Sequence, residues 1–218
     1  CSMGAYQMGG HISGVGRGMD SYEIRQPLGV CAGIAPFNFP VMCPLWMVPV
    51  AIAAGNTFLL KPSEKDAGAA LLLTQLAIEA GLPPGVLNIV HGTVDTVNFL
   101  CDAPEVKAIG FVGSNVAGEH IYARANANGK RVQANMGAKN HTAVLPDANK
   151  SHAINSIVGA AFGAAGQRCM ALSVAVLVGE ASAWLPEIIE SAQKLKVGSG
   201  FDAEVDVGPM ITPQALQR

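Results

Sequence analysis

Short apolar runs alternate with helix-like stretches along most of the chain, and this alternation restricts the possible folds more than any other feature. Runs suited to buried strands lie at residues 29–35, 57–60, 86–90, 107–112, 142–145 and 173–178. Stretches typical of helices lie between them, at residues 40–54, 67–80, 93–101, 117–127, 153–165 and 183–195. Helices that separate short apolar strands predict an α/β fold with a mostly parallel, doubly wound sheet. In such a sheet, ligands bind beyond the carboxyl ends of the strands.

Composition and charge argue against several classes of protein. Half of the 218 residues are hydrophobic and only 14% are charged, which is enough apolar material for a substantial core. The net charge of -2 gives no electrostatic reason to expect binding to nucleic acid or to an anionic membrane. Pro44, Pro49 and Gly55 interrupt the most apolar stretch, so it does not fit a bilayer span. The five cysteines are widely spaced without a C-x-x-C pair, which argues against a zinc site and favours a reducing compartment.

A candidate nucleophile lies at the end of a helix made mostly of small residues. The segment Gly166-Gln167-Arg168-Cys169 follows residues 159–165, which are glycine and alanine apart from one phenylalanine. A glycine before a cysteine leaves room for the thiol to face a cleft, and a neighbouring cation raises the thiolate fraction. Viewed alone, the segment also fits a buried cysteine that acts as a small hydrophobe.

Two further segments lie where a strand is expected to end. Residues 111–118 read Phe-Val-Gly-Ser-Asn-Val-Ala-Gly, in which glycines bracket a strand-to-helix turn. Backbone N–H groups at such a helix start can hold a phosphate, although an ordinary turn has the same pattern. Lys61 and Glu64 follow the strand at 57–60, where they can bind ribose hydroxyls, and an acidic residue there favours NAD over NADP. The alternative is a solvated loop in which Ser63 caps a helix.

Asn38 belongs to the segment Pro36-Phe37-Asn38-Phe39-Pro40, which follows an apolar run and precedes a helical stretch. Its side chain either caps that helix or donates an amide N–H to an oxyanion. These residues alone leave both interpretations open.

These four segments occur in the order found in one family, and the chain resembles the aldehyde dehydrogenase superfamily over nearly its whole length. The resemblance implies the aldehyde dehydrogenase fold, with Cys169 as the catalytic nucleophile and Asn38 as the oxyanion donor. It implies NAD as cofactor and no metal. The cofactor-binding residues that it implies are Phe37, Lys61, Glu64, Gly113, Ser114 and Gly118.

One position departs from most of the superfamily. The common sequence Glu-Leu-Gly-Gly-Lys is replaced by Asn135-Met136-Gly137-Ala138-Lys139. In the superfamily, the Glu is the base that activates water to hydrolyse the thioacyl-enzyme. Asn135 cannot accept a proton, so hydrolysis should be slow, and a thiol such as coenzyme A can take the acyl group instead.

Within the superfamily the chain is most similar to the branch that acylates coenzyme A. That branch oxidises methylmalonate or malonate semialdehyde to propanoyl-CoA or acetyl-CoA with decarboxylation, in valine, thymine or inositol catabolism. Arg168 matches a position that binds the substrate carboxylate, a task that suits the planar guanidinium. Two alternatives stay open: a hydrolytic NAD-dependent aldehyde dehydrogenase, and a nucleotide-binding fragment that is inactive as an isolated chain.

The resemblance also implies a domain organisation. Residues 1–26 form a linker and an oligomerisation hairpin, residues 27–137 the NAD-binding domain, and residues 138–218 the first part of the catalytic domain. Thr212 and Pro213 have the pattern of a helix start, and we expect the chain to be part of a longer protein. The intact protein is expected to be a homotetramer, in the mitochondrial matrix of a eukaryote or the cytoplasm of a bacterium.

Overall fold

The computed structural model describes residues 2–217, which divide into two compact units between Met136 and Gly137. The strands are β1 (His11–Gly16), β2 (Met19–Tyr22), β3 (Val30–Ile34), β4 (Thr57–Lys61), β5 (Leu87–Ile89), β6 (Val106–Val112), β7 (Arg131–Asn135), β8 (Asn140–Val144) and β9 (Leu172–Leu177). The α-helices are α1 (Met3–Tyr6), α2 (Met42–Ala53), α3 (Gly68–Glu79), α4 (Val94–Asp102), α5 (Asn115–Ala127), α6 (Lys150–Phe162), α7 (Leu185–Gln193) and α8 (Pro213–Leu216). In the part of the chain that is described, no helix is long and apolar enough to cross a membrane.

A parallel sheet in the order β5-β4-β3-β6-β7 forms the centre of the first unit. The chain begins in the middle with β3, moves outward through β4 and β5, and then crosses back to β6 and β7. The direction of winding therefore reverses between β3 and β6, which is the point where doubly wound sheets bind their ligands. The predicted α/β fold is confirmed.

Helices cover both faces of this sheet. Successive residues of a strand point to opposite faces, so one strand contributes side chains to the core on each side. On β3, Cys31 packs with the cluster that includes residues of α2 and α3, whereas Ala32 packs with the cluster of α4 and α5. β3 and β4 are buried or half-buried along their whole length, which accounts for their nearly continuous apolar sequences.

Two predicted features differ from the structure. The edge strand β7 was not predicted, because only Val132 and Ala134 of its five residues are apolar. The helix expected at residues 153–165 ends at Phe162. Ala164 and Ala165 adopt left-handed φ angles of 52° and 54°, which an α-helix of L-residues excludes.

β1 and β2 form an antiparallel hairpin near the start of the first unit. Neither strand contains a buried residue. Ile12, Met19 and Tyr22 are large hydrophobic side chains that are 62%, 61% and 71% exposed, so the hairpin presents an apolar surface.

The second unit has a smaller core. β8 and β9 pair in parallel, and Val144, Ile157 and Ala181 form the buried cluster between this sheet and its helices. The predicted helix start at Thr212 is confirmed, because its side chain accepts a hydrogen bond from the Ala215 N–H at 3.2 Å.

Candidate active site

Cys169 differs from the other cysteines of residues 2–217 in its exposure. Cys31, Cys43 and Cys101 are buried, whereas Cys169 is only half-buried. Burial raises the pKa of the Cys31 and Cys101 thiols, which keeps them in the unreactive protonated form. Among the described cysteines, Cys169 is therefore the best candidate for a nucleophile.

Cys169 lies in a tight turn that precedes β9. The Ala171 N–H donates to the Arg168 carbonyl at 3.1 Å and closes the turn around Cys169. On the preceding side, the Gln167 side chain accepts from the Ile211 N–H at 3.0 Å. Cys169 thus lies in a short segment that has hydrogen bonds on both sides.

The Arg168 guanidinium lies against the last turn of α6. Its Nη2 atom donates to the carbonyls of Gly159 at 2.6 Å and Ala160 at 3.0 Å, and a cation is favourable at a helix C-terminus. Gly163 provides the necessary space, because a Cβ at that position would overlap the guanidinium. The buried Nε atom has no hydrogen-bond partner within residues 2–217.

Asn38 lies in the loop between β3 and α2, at the point where the sheet reverses its winding. The N-cap of α2 is Val41, and the helix has no side-chain cap. The interpretation of Asn38 as a helix cap is therefore wrong. Asn38 and the neighbouring Phe37 are both half-buried. Because Asn38 does not cap α2, the interpretation of its amide as an oxyanion donor is the one that stays open.

Lys61 is the last residue of β4 and is only 4% exposed. Its Nζ atom donates to the Pro62 carbonyl at 2.8 Å and lies 3.5 Å from Glu64 Oε2. An ammonium group has three donors, so Lys61 can bind a further acceptor. The pKa of Glu64 is lowered, first by a hydrogen bond from its own backbone N–H and then by the charge of Lys61. Glu64 is therefore ionised at neutral pH.

The alternative interpretation of this segment, a solvated loop with Ser63 as a helix cap, is wrong. Lys61 and Ser63 are both buried. The Ser63 hydroxyl accepts from the Lys65 N–H at 3.1 Å, and α3 begins later, with Ala67 as its N-cap.

The segment after β6 leads directly into α5. Ser114 is the N-cap, and its hydroxyl accepts from the Ala117 N–H at 3.4 Å. Gly118 lies in the first turn, where a Cβ would come within 2.5 Å of the Met136 side chain. Close packing therefore requires glycine at this position. Gly113 and Ser114 stand at the positive end of the helix dipole, which favours a phosphate.

Asn135 ends β7 and is exposed. It lines a cavity of about 270 Å³ whose wall includes Trp46, Met47 and Gln133. Trp46 and Gln133 were not recognised as candidates from the sequence. Gln133 alternates with Val132 and Ala134, and this alternation is the signal that identifies an edge strand.

Strand pairing explains which candidate residues of the first unit lie near one another. Ile34 at the end of β3 pairs with Lys61 on one side and with Phe111 on the other. The loops that contain Asn38, Lys61 and Gly113 therefore emerge from neighbouring strands at one edge of the sheet. Cys169 and Arg168 belong to the second unit. Within residues 2–217, no group of three or more His, Cys, Asp or Glu side chains is arranged to hold a metal ion.

Comparison with known proteins identifies the family. Residues 2–218 match the model of the aldehyde dehydrogenase family, and the chain belongs to this family. It is 61% identical over 218 residues to the mitochondrial methylmalonate-semialdehyde dehydrogenase [acylating] of Arabidopsis thaliana, covering the whole chain and 36% of that protein. It is 60% identical to the human mitochondrial methylmalonate-semialdehyde/malonate-semialdehyde dehydrogenase [acylating], covering the whole chain and 41% of that protein.

Solved structures give the same result. A putative methylmalonate-semialdehyde dehydrogenase from Sinorhizobium meliloti 1021 in complex with NAD matches 99% of the chain with a TM-score of 0.95 and 45% identity, over 44% of its own length. The methylmalonate-semialdehyde dehydrogenase of Oceanimonas doudoroffii matches 98% of the chain with a TM-score of 0.94 and 53% identity, over 44% of its own length. The chain thus spans about two fifths of the relatives that it matches.

The first unit fits a dinucleotide cofactor. A buried lysine with a spare donor, an ionised glutamate and the start of α5 follow neighbouring strands of a doubly wound sheet. These are the groups needed at the carboxyl edge of such a sheet for ribose and phosphate recognition.

Proposed function

We propose that the intact protein oxidises methylmalonate or malonate semialdehyde with NAD and transfers the acyl group to coenzyme A, with loss of the carboxyl carbon. The names of the two eukaryotic relatives support this assignment. The observation that carries it is Asn135, at the position where the superfamily has its base. An amide has no proton-accepting form near neutral pH, so the residue at the end of β7 cannot activate water.

The chemistry assigns a separate task to each residue. The Cys169 thiolate attacks the aldehyde carbon, and the Asn38 amide donates to the resulting oxyanion. When bound, NAD would supply the hydride acceptor for this oxidation. Cys169 then holds the acyl group as a thioester. The C–C bond to the β-carboxylate breaks to release CO2, which hydrates to bicarbonate, and its electron pair passes to the thioester enolate, whose carbon takes a proton from solvent. The thiolate of coenzyme A then attacks the thioester carbonyl and releases Cys169 as its thiolate. Lys61 and Glu64 would bind the adenosine ribose, while Phe37, Gly113, Ser114 and Gly118 would contact the remainder of the cofactor.

Arg168 is proposed to bind the substrate carboxylate through its guanidinium, which suits a planar carboxylate. Its present contacts with the Gly159 and Ala160 carbonyls also support α6, so a variant will affect stability as well as binding. Loss of folded protein lowers the turnover of semialdehyde and of propanal by the same factor, so the ratio of the two rates within one variant is independent of stability. We expect Arg168→Leu to lower this ratio, and an unchanged ratio would exclude Arg168 as a carboxylate-binding residue.

Coenzyme A dependence tests the proposed function directly. We expect the intact protein to form NADH from malonate semialdehyde in repeated turnovers only when coenzyme A is present. Without it, one equivalent per site should form and the thioester should accumulate. Equal turnover without coenzyme A would indicate a hydrolytic aldehyde dehydrogenase, and absence of any NADH would indicate a nucleotide-binding chain.

The role of Asn135 has its own test. Asn135→Glu restores a proton acceptor at the end of β7, and we expect turnover without coenzyme A to rise by about tenfold to a hundredfold. Asn135→Gln is the matched control, because it has the same length but no basic group. A similar rise in both variants would contradict the role of a missing base.

Assembly and location are proposed on related grounds. The exposed apolar side chains of the β1–β2 hairpin, Ile12, Met19 and Tyr22, suit an oligomer interface, and we propose a homotetramer of the intact protein. The mitochondrial matrix is the proposed compartment if the source is a eukaryote, as the names of the relatives suggest, and the cytoplasm if it is a bacterium.

A further inference from the structure

The backbone carbonyls around Cys169 are bound by a side chain from a distant part of the second unit. Asn140 is the first residue of β8, and its Nδ2 atom donates to the Cys169 carbonyl at 2.8 Å and to the Ala171 carbonyl at 3.0 Å. Carbonyl oxygens only accept hydrogen bonds, so the nitrogen of the amide must face the turn. Both N–H donors of one half-buried amide are therefore used on the nucleophile segment.

The Asn140 side chain contacts the chain just before the point where β9 begins to pair with β8. Asn140 pairs with Leu172, the first residue of β9, and the register shifts immediately after this pair. Cys169 itself lies outside both strands, in the turn closed between Arg168 and Ala171.

We propose that Asn140 is a positioning residue that fixes the orientation of the Cys169 backbone, and through it the direction of the attacking thiol. The inference rests on the proposed function, because it assumes that Cys169 attacks an aldehyde. Anchoring the carbonyl restricts rotation about the Cα–C bond of Cys169. A displacement of about 1 Å in a reacting atom can slow a reaction by about a hundredfold, so a loose turn should be costly for catalysis.

The test compares Asn140→Asp with Asn140→Ser and with a control. The Asp variant has the same shape but presents acceptors to two carbonyls, and the Ser variant retains one donor. Asn88→Asp is the matched control, since the Asn88 amide donates to the Gly85 carbonyl at 2.8 Å in the other unit.

Hydrogen–deuterium exchange of the protein reports on the contact without any turnover. We expect Asn140→Asp to raise deuterium uptake in the peptide around residues 163–172 and to leave α6 and α7 unchanged. Unchanged uptake in that peptide would overturn the proposal, and this readout is independent of whether malonate semialdehyde is the substrate.

Kinetics distinguish positioning from general destabilisation. For Asn140→Asp, we expect kcat for NADH formation from malonate semialdehyde to fall by about tenfold or more, with KM nearly unchanged. Alkylation of Cys169 by iodoacetamide, which tolerates many approach angles, should change by less than about threefold. Asn140→Ser should be intermediate and Asn88→Asp normal.

Parallel losses in turnover and in alkylation, with raised uptake throughout the second unit, would mean that Asn140 is only structural and would overturn the proposal. If the unmodified protein forms no NADH from the semialdehyde, the proposed function fails. The exchange data then still decide whether Asn140 holds the turn.

Discussion

The candidate site residues of the first unit follow strands of a sheet, whereas Cys169, the proposed nucleophile in the second unit, lies in a turn. Lys61 ends β4, which is hydrogen-bonded to a strand on each side. Cys169 lies outside any strand, and the Asn140 side chain, from a distant segment, donates to its backbone carbonyl. The neighbouring Gln167 side chain accepts from the Ile211 N–H. The backbone ladder therefore holds Lys61 in the first unit, and a side-chain hydrogen bond holds the turn of Cys169 in the second unit.

This difference shows where function and stability can be separated. A side chain at the end of a paired strand can be changed without moving the backbone, because the ladder remains. A side chain that holds a turn cannot be changed without loosening it. Substitution of Asn38 should thus affect chemistry more than stability, while the stability of the first unit depends on its buried groups.

The largest expected effect concerns Asn38. Replacement by Ala removes the proposed oxyanion donor, and kcat should fall by about a hundredfold to a thousandfold. Because Asn38 does not cap α2, the free energy of unfolding should remain within about 0.5 kcal/mol. Steady-state kinetics and urea unfolding measure the two quantities. A marked loss of stability with normal kcat would show that Asn38 supports the fold and not the chemistry.

A smaller effect is expected at Lys130, which is 5% exposed and whose ammonium donates to the Ala103 and Val106 carbonyls. Lys130→Met leaves both buried acceptors without a donor, which should cost about 1–3 kcal/mol of stability. Lys107→Met is the control, since Lys107 is exposed and binds only the Pro104 carbonyl. Equal unfolding curves for the two variants would show that the buried ammonium is not needed.

The smallest effect is expected at Lys61. Lys61→Met removes a charged donor from the proposed ribose site, and the Kd for NAD should rise by about tenfold, which corresponds to the loss of one charge-assisted hydrogen bond. Lys65→Met, at an exposed neighbouring position, should leave the Kd unchanged. Isothermal titration measures both. Similar Kd values for NAD in the two variants would show that Lys61 does not bind the cofactor.

The apolar runs predicted most of the strands, because buried parallel strands need hydrophobic side chains on both faces. β7 escaped prediction because it is an edge strand in which Arg131, Gln133 and Asn135 are exposed. The early end of α6 was also missed. Its small residues are compatible with a helix, and only tertiary contacts, including those of Arg168 with the last helical carbonyls, reveal where it stops.

The sequence by itself determined the α/β fold, the family and the identity of the candidate residues, because these depend on local composition and on motifs in a fixed order. Only the tertiary structure decided how those residues are held. It distinguished the half-buried Cys169 from three buried cysteines, and it excluded helix capping by Asn38 and Ser63. It also joined Asn140 to the Cys169 carbonyl across 29 positions of sequence. Such contacts depend on strand pairing between distant segments, which local sequence patterns do not encode.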